Sequence, residues 1–112
     1  MGNTRKTGDL INNAITRITS SISANTTAGA NIATDYTYFA SGTITITLPT
    51  AVGNTNQYTI KNVAAGTGNT VTVLFTGGQT ADGYTAVTMT DALSQNQSRA
   101  FISNGTNWQI VS

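Results

Sequence analysis

Few side chains here can do acid–base or metal chemistry: the 112 residues contain no His, Cys or Glu, and the four aspartates are Asp9, Asp35, Asp82 and Asp91. General acid–base catalysis and metal binding run mostly on His, Cys, Glu or clustered Asp. The aspartates stand 26, 47 and 9 residues apart without an Asp-x-Asp-x-Asp-Gly run, so neither a calcium loop nor a short-range carboxylate pair is encoded. The expectation is a non-enzymatic chain with no cofactor, no catalytic residue and no metal. The absence of cysteine also excludes disulfides, leaving burial, hydrogen bonding and assembly to supply stability.

Two other chemistries compete for the remaining residues. The rings of Tyr36, Tyr38, Tyr58, Tyr84 and Trp108 stand near Asn and Asp, and flat rings beside such groups suit polyhydroxyl ligands. Tyr36, Tyr38 and Tyr84 are the candidate platform, with a host-surface glycan as the candidate ligand. Against this, aromatic residues dominate burial in small domains, and Trp108 is assigned to the core. Thr43, Thr45 and Thr47 suggest an ice-binding or other threonine-ladder surface. That reading needs a fixed repeat, but strand-like runs starting at 43, 58, 71, 85, 98 and 106 are separated by 15, 13, 14, 13 and 8 residues. Threonine there reads better as the β-branched outer face of a strand.

Composition and alternation describe the elements that would carry these side chains. The chain has 23 Thr, 12 Asn, 8 Ser and 5 Gln against five basic and four acidic residues, for a net charge of +1. It lacks the cationic excess by which proteins neutralise nucleic-acid phosphates. No run approaches 18 apolar residues, and no apolar segment with a small-residue cleavage site opens the sequence, so neither a membrane-spanning helix nor a Sec signal is expected. A boundary near residue 40 separates a polar N-terminal arm (1–40) from a β-rich knob (41–112). In the knob, Thr43–Leu48 alternates without fault and stops at Pro49. Tyr58–Val63, Val71–Phe75, Thr85–Met89, Ser98–Ser103 and Thr106–Val111 follow, each bounded by turn residues.

Asn104-Gly105 is a preferred two-residue hairpin loop. Counting outward sets Ser103 opposite Thr106, Ile102 opposite Asn107 and Phe101 opposite Trp108. Arg99 and Ile110 extend the Phe101 face, while Ala100, Ile102 and Val111 make the other face apolar as well. A hairpin apolar on both sides suits two covers, of which one could be another subunit.

The order of a TITLP strand, a GNTNQYTIKN stretch, a Gly-rich turn, VTV, an ADG turn and a final QSRAFISNGTNWQIVS resembles a β module of bacteriophage virion appendages, including tail-fibre, head-fibre and spike proteins. The resemblance spans about Ser41–Ser112. TRKTGDLI at Thr4–Ile11 is also similar to the start of some virion fibre proteins. It implies a trimeric, β-rich stalk or knob on the virion, assembled in the host cytoplasm and exposed on the particle surface.

The arm has its own periodicity, since Ile11, Ile15, Ile18 and Ile22 recur at spacings of 4, 3 and 4, as in the seam of a short coiled coil. Isoleucine at both seam positions favours trimers or tetramers over dimers. Opposing this, Thr16, Thr19, Ser20, Ser21 and Ser23 are indifferent helix formers, and the run is too short to hold a helix alone in water. The alternative is an extended arm whose isoleucines dock singly on a partner. Arg5, Lys6, Arg17 and Asp9 give the first 20 residues a charge of +2, suited to an acidic neighbour. Arg5, Lys6, Leu10, Ile11, Ile15, Ile18 and Ile22 are therefore the anchoring and oligomerisation candidates.

The expected architecture is a small antiparallel β-sandwich or barrel-like knob, interlocked as a homotrimer and carried on an N-terminal arm, helical or extended, that binds another virion protein. The monomer should be marginal, and its Thr-rich strand edges lack Lys or Glu gatekeepers, so assembly would protect them. Expected functions are virion structure and host-surface adhesion, or alternatively a capsid decoration or head-fibre role without a specific ligand. No nucleic acid and no membrane insertion enter either scheme.

Overall fold

Alternation decides which residues go inside: Ile44, Ile46 and Leu48 are buried while Thr45 and Thr47 between them are half-exposed. The computed structural model describes residues 15–64, 68–90 and 97–112. Among them nine strands form: β1 (Thr16–Ile22), β2 (Thr26–Thr27), β3 (Thr34–Ala40), β4 (Ile44–Leu48), β5 (Gln57–Asn62), β6 (Thr70–Phe75), β7 (Ala86–Thr90), β8 (Ser98–Ser103) and β9 (Trp108–Ile110). Two mixed sheets result, ordered β1-β3-β5-β8-β9 and β2-β4-β6-β7, and neither closes into a barrel.

Through β6 the chain changes sheet at every connection, so each wrap lies parallel to the one before it. Thr16 pairs with Thr34, Thr26 with Ile46, Tyr36 with Tyr58 and Ile44 with Val71, separations of 18, 20, 22 and 27 residues. The last three strands reverse direction: β7 runs antiparallel to β6, β8 to β5 and β9 to β8. The core between the sheets is built from Tyr36, Tyr38, Tyr58, Ile46, Leu48, Ile60, Val71, Val73, Met89, Phe101 and Trp108. Threonines line up outside, as Thr19–Thr37–Thr59 on the first sheet and Thr45–Thr72–Thr88 on the second. A β-branched methyl beside a hydroxyl suits a pleated face left to water.

This architecture corrects three expectations. The sheets are mixed, with four parallel pairs, and not purely antiparallel. Ile18 and Ile22 belong to strand β1 and Ile15 precedes it, so no helical seam exists over these residues. Ile18, Ser20 and Ile22 instead follow period 2 and register with Tyr36, Tyr38 and Ala40 of β3, as a Thr- and Ser-rich segment prefers. The β structure also extends well before residue 40, because β3 pairs β1 on one side and β5 on the other. Arg5, Lys6, Asp9, Leu10 and Ile11 lie outside the described residues.

The closing hairpin forms with a shifted register. Ser103 pairs Trp108 and Phe101 pairs Ile110, leaving a four-residue loop. Asn104 is the reason, since its Oδ1 accepts from the backbone N–H of Thr106 at 3.1 Å and of Asn107 at 3.0 Å, making a longer Asx-type turn. A shift of two preserves the facing, so Phe101, Trp108 and Ile110 remain on the core side. The other face is less covered than expected, with Ala100 buried but Ile102 and Val111 exposed.

Trp108 is wholly buried, and its ring meets that of Tyr58 edge-to-face at 5.3 Å and 87°. Its Nε1 finds no acceptor among the described residues, a cost of about 1–3 kcal/mol that the ring contact offsets only in part. Area burial must hold it in place. Trp108→Ala is expected to destabilise the fold by about 3–5 kcal/mol in chemical denaturation. The native indole should emit blue-shifted and resist acrylamide; quenchable red emission with an unchanged melting temperature in the variant would contradict this placement.

Candidate functional site

The aromatic residues separate into a structural group and one exposed ring. Tyr36, Tyr38 and Tyr58 alternate on the inner faces of β3 and β5 and stack, with centroids 5.3 Å apart for Tyr36–Tyr58 and 6.2 Å for Tyr36–Tyr38. Their hydroxyls meet the crossover between β2 and β3. The Gly29 N–H donates to Tyr38 at 2.9 Å, the Asn31 N–H donates to Tyr36 at 3.0 Å, and the Tyr58 hydroxyl donates to the Gly29 carbonyl at 2.6 Å. Asn56 completes this cover: its amide donates to the Asn31 carbonyl at 2.6 Å and its oxygen accepts from Thr34 N–H at 3.0 Å. Gly29 is required for closeness, since a Cβ there would lie 2.5 Å from the Tyr36 ring. Tyr36 and Tyr38, at 5% and 6% exposure, are thus core residues and not a ligand platform. Flat apolar rings with one polar tip suit a core whose lid is backbone.

Asn56 and Asn62 are functional in this structural sense and escaped the sequence analysis. Both occupy inward positions of the Asn56–Tyr58–Ile60–Asn62 alternation, and a polar residue at a core position was the available signal. Asn62 Oδ1 accepts from Ala64 N–H at 3.0 Å, and its amide reaches the Met89 carbonyl at 3.4 Å.

The two described aspartates, Asp35 and Asp82, have backbone partners. Asp35, in register with Arg17, accepts from Gln57 N–H at 3.0 Å on the outer face of the first sheet. A depression of about 300 Å³ lies there, lined by these three residues together with Thr19, Tyr36, Thr37 and Thr59. Asp82 accepts from Ile110 N–H at 3.1 Å and so ties β9 to the turn before β7. Asp9 and Asp91 lie outside the described residues, among which no three metal-ligating groups cluster.

Tyr84 alone of the platform residues is exposed, at 65%. The turn Ala81-Asp82-Gly83-Tyr84 carries it, closed by Ala81 N–H to Tyr84 carbonyl at 2.9 Å and the reciprocal bond at 2.8 Å. Asp82 and Gly83 both have positive φ, 50° and 86°, as the tight hairpin turn of this hand requires. Asp82 N–H also donates to the Trp108 carbonyl at 3.1 Å, and Trp108 N–H donates to the Thr80 carbonyl at 2.8 Å. The turn is therefore fastened along β9, and Tyr84 stands on a rigid base. Beside it is a shallow depression of about 250 Å³, lined by Tyr84, Ala86, Val87, Thr88, Arg99 and Ile110. This apolar wall with one cation, the Thr88 hydroxyl and the exposed phenol ring of Tyr84 is the candidate ligand site.

No protein-family model and no curated protein matches the chain.

Burial raises the Tyr38 phenol above its ordinary value of 10.0; the Gly29 N–H opposes this, and neighbouring Tyr36 and Tyr58 add to the rise. The unfolded chain gives up this proton first, so the stabilisation is complete below pH 10.0 and is lost as pH rises through the higher folded value. Denaturation midpoints measured from pH 8 upward should fall less steeply beyond pH 10 in Tyr38→Phe than in the native chain, with equal slopes as the contrary result.

Proposed function

We propose that the chain is a non-enzymatic structural protein of a bacteriophage virion, a β-rich knob attached through its N-terminal segment, presented outward as a homotrimer and contributing to host-surface adhesion. The order of strand and turn motifs from the TITLP strand to the SNGTNW hairpin supports the virion assignment.

The observation that carries the assembly is β1. It is an edge strand whose residues through Thr19 are exposed on both faces, and Ile15 and Ile18 are uncovered at its start. Among the described residues its outer edge has no strand partner; such a largely uncharged edge invites pairing, and natural proteins protect such edges by covering them. The opposite edge of that sheet is already protected, since residues 80–82 and the Asp82 carboxylate occupy backbone groups of β9. Ile32 at 89% and Val52 at 61% exposure line one end of the sandwich, adding apolar surface for neighbouring subunits or the particle to cover. Each Å² of apolar surface so removed from water contributes about 25 cal/mol.

The Tyr84 depression, an exposed ring beside a cation, is where adhesion would be seated. Light scattering of the purified protein should return three times the 11.6 kDa monomer mass. Labelled antibody on intact particles should then mark an outward appendage; a monodisperse monomer at micromolar concentration, or protein absent from particles, would contradict the proposal.

A further inference from the structure

We infer that the depression beside Tyr84 binds a sugar bearing a carboxylate, with Arg99 receiving the charge and Tyr84 the ring. The inference rests on the adhesion proposed above and names the ligand class of that site. Arg99 occupies a core-side position of β8, in register with Ile60 and two residues from buried Phe101. A cation is unexpected there. Its hydrogen bond runs from Nη1 to the neighbouring Ser98 carbonyl at 2.8 Å, and it makes no ion pair with any described residue. The rest of its planar fork is available for a carboxylate, which guanidinium binds through two parallel bonds.

The surroundings strengthen such a pairing. Ala86, Val87 and Ile110 form an apolar wall, so an anion docking on Arg99 is less screened than on an open surface. Asp82, two residues before Tyr84, is engaged by the Ile110 N–H. Thr88 offers a hydroxyl on the same wall, and the exposed Tyr84 ring offers a flat surface for the apolar side of a pyranose. The depression, at about 250 Å³, falls short of drug-sized pockets and suits one saccharide unit. The turn that holds Tyr84, with its left-handed Asp82, fixes the backbone that carries the ring before any ligand arrives, which lowers the ordering cost of binding.

The competing assignment gives Arg99 only a packing role, its stem covering Val87 and Ile110 at the sandwich edge. Titration separates the two. Amide chemical shifts of the full-length protein would be followed with sialyllactose, with a glucuronate-containing disaccharide, and with lactose. Shifts should centre on Tyr84–Thr88, Arg99 and Ile110, with one or both acidic sugars binding about tenfold more tightly than lactose. The two acidic probes distinguish a sialic from a uronic source. Tyr84→Ala removes an exposed ring and should keep the fold while abolishing the shifts. Arg99→Gln should erase the preference for acid over lactose. Equal binding of all three probes, shifts elsewhere, or acidic-sugar binding that survives Tyr84→Ala would overturn the inference. Fluorescent protein that coats host cells yet ignores both acidic sugars would overturn the site and leave adhesion standing. Protein that binds an acidic sugar but coats no cells would uphold the site and contradict adhesion.

Discussion

Three tyrosine hydroxyls and the Asn56 side chain hold the backbone of residues 29–34 over one end of the core. That cover is the constraint on which the other parts depend. A crossover between sheets brings its own polar N–H and C=O groups to the edge of an apolar interior, and each left unpaired there costs about 1–3 kcal/mol. The stacked rings solve two problems together, filling the sandwich with apolar surface while their tips satisfy the loop. Because the same loop joins β2 to β3, the tyrosines of β3 and β5 anchor the first wrap of the chain onto the later ones.

How much was legible in the sequence follows from this. The strands after residue 40 were readable because Ile44–Leu48, Gln57–Asn62 and Thr70–Phe75 alternate cleanly and end at Pro, Gly or Asn. Their parallel wrapping was not, because pairing separations drift from 18 to 27 residues and leave no repeat to detect. β1 was ambiguous on physical grounds. Ile15, Ile18 and Ile22 fit a helical seam, while the even positions Ile18, Ser20 and Ile22 fit a strand, and only the presence of β3 alongside decides between them. Missing that strand also moved Tyr36 and Tyr38 to a ligand platform, since their burial depends on a sheet partner and not on their own neighbours in sequence.

The candidate site was legible in half. Tyr84 follows an Asp-Gly turn signal, which places its ring at a hairpin tip and hence in solvent. Arg99 was correctly put on the Phe101 face, yet nothing in the sequence said that β7 and β9 would close an apolar wall around it. The antiparallel end of the molecule therefore differs in character from the parallel end. Among the described residues it has a capped edge, a fixed turn and a cation without an ion pair, whereas β1 at the other side has an unpaired edge and exposed isoleucines.

The claim that residues 16–27 belong to the fold, held by the tyrosine cover, is tested most directly by thermal unfolding of three chains: the full protein, one starting at Ile15 and one starting at Ala28. The third, lacking β1 and β2, should melt lower than the second by about 10 °C or more or lose its cooperative transition. Equal melting of all three would show that the early strands are an appendage and that the later strands stand without them.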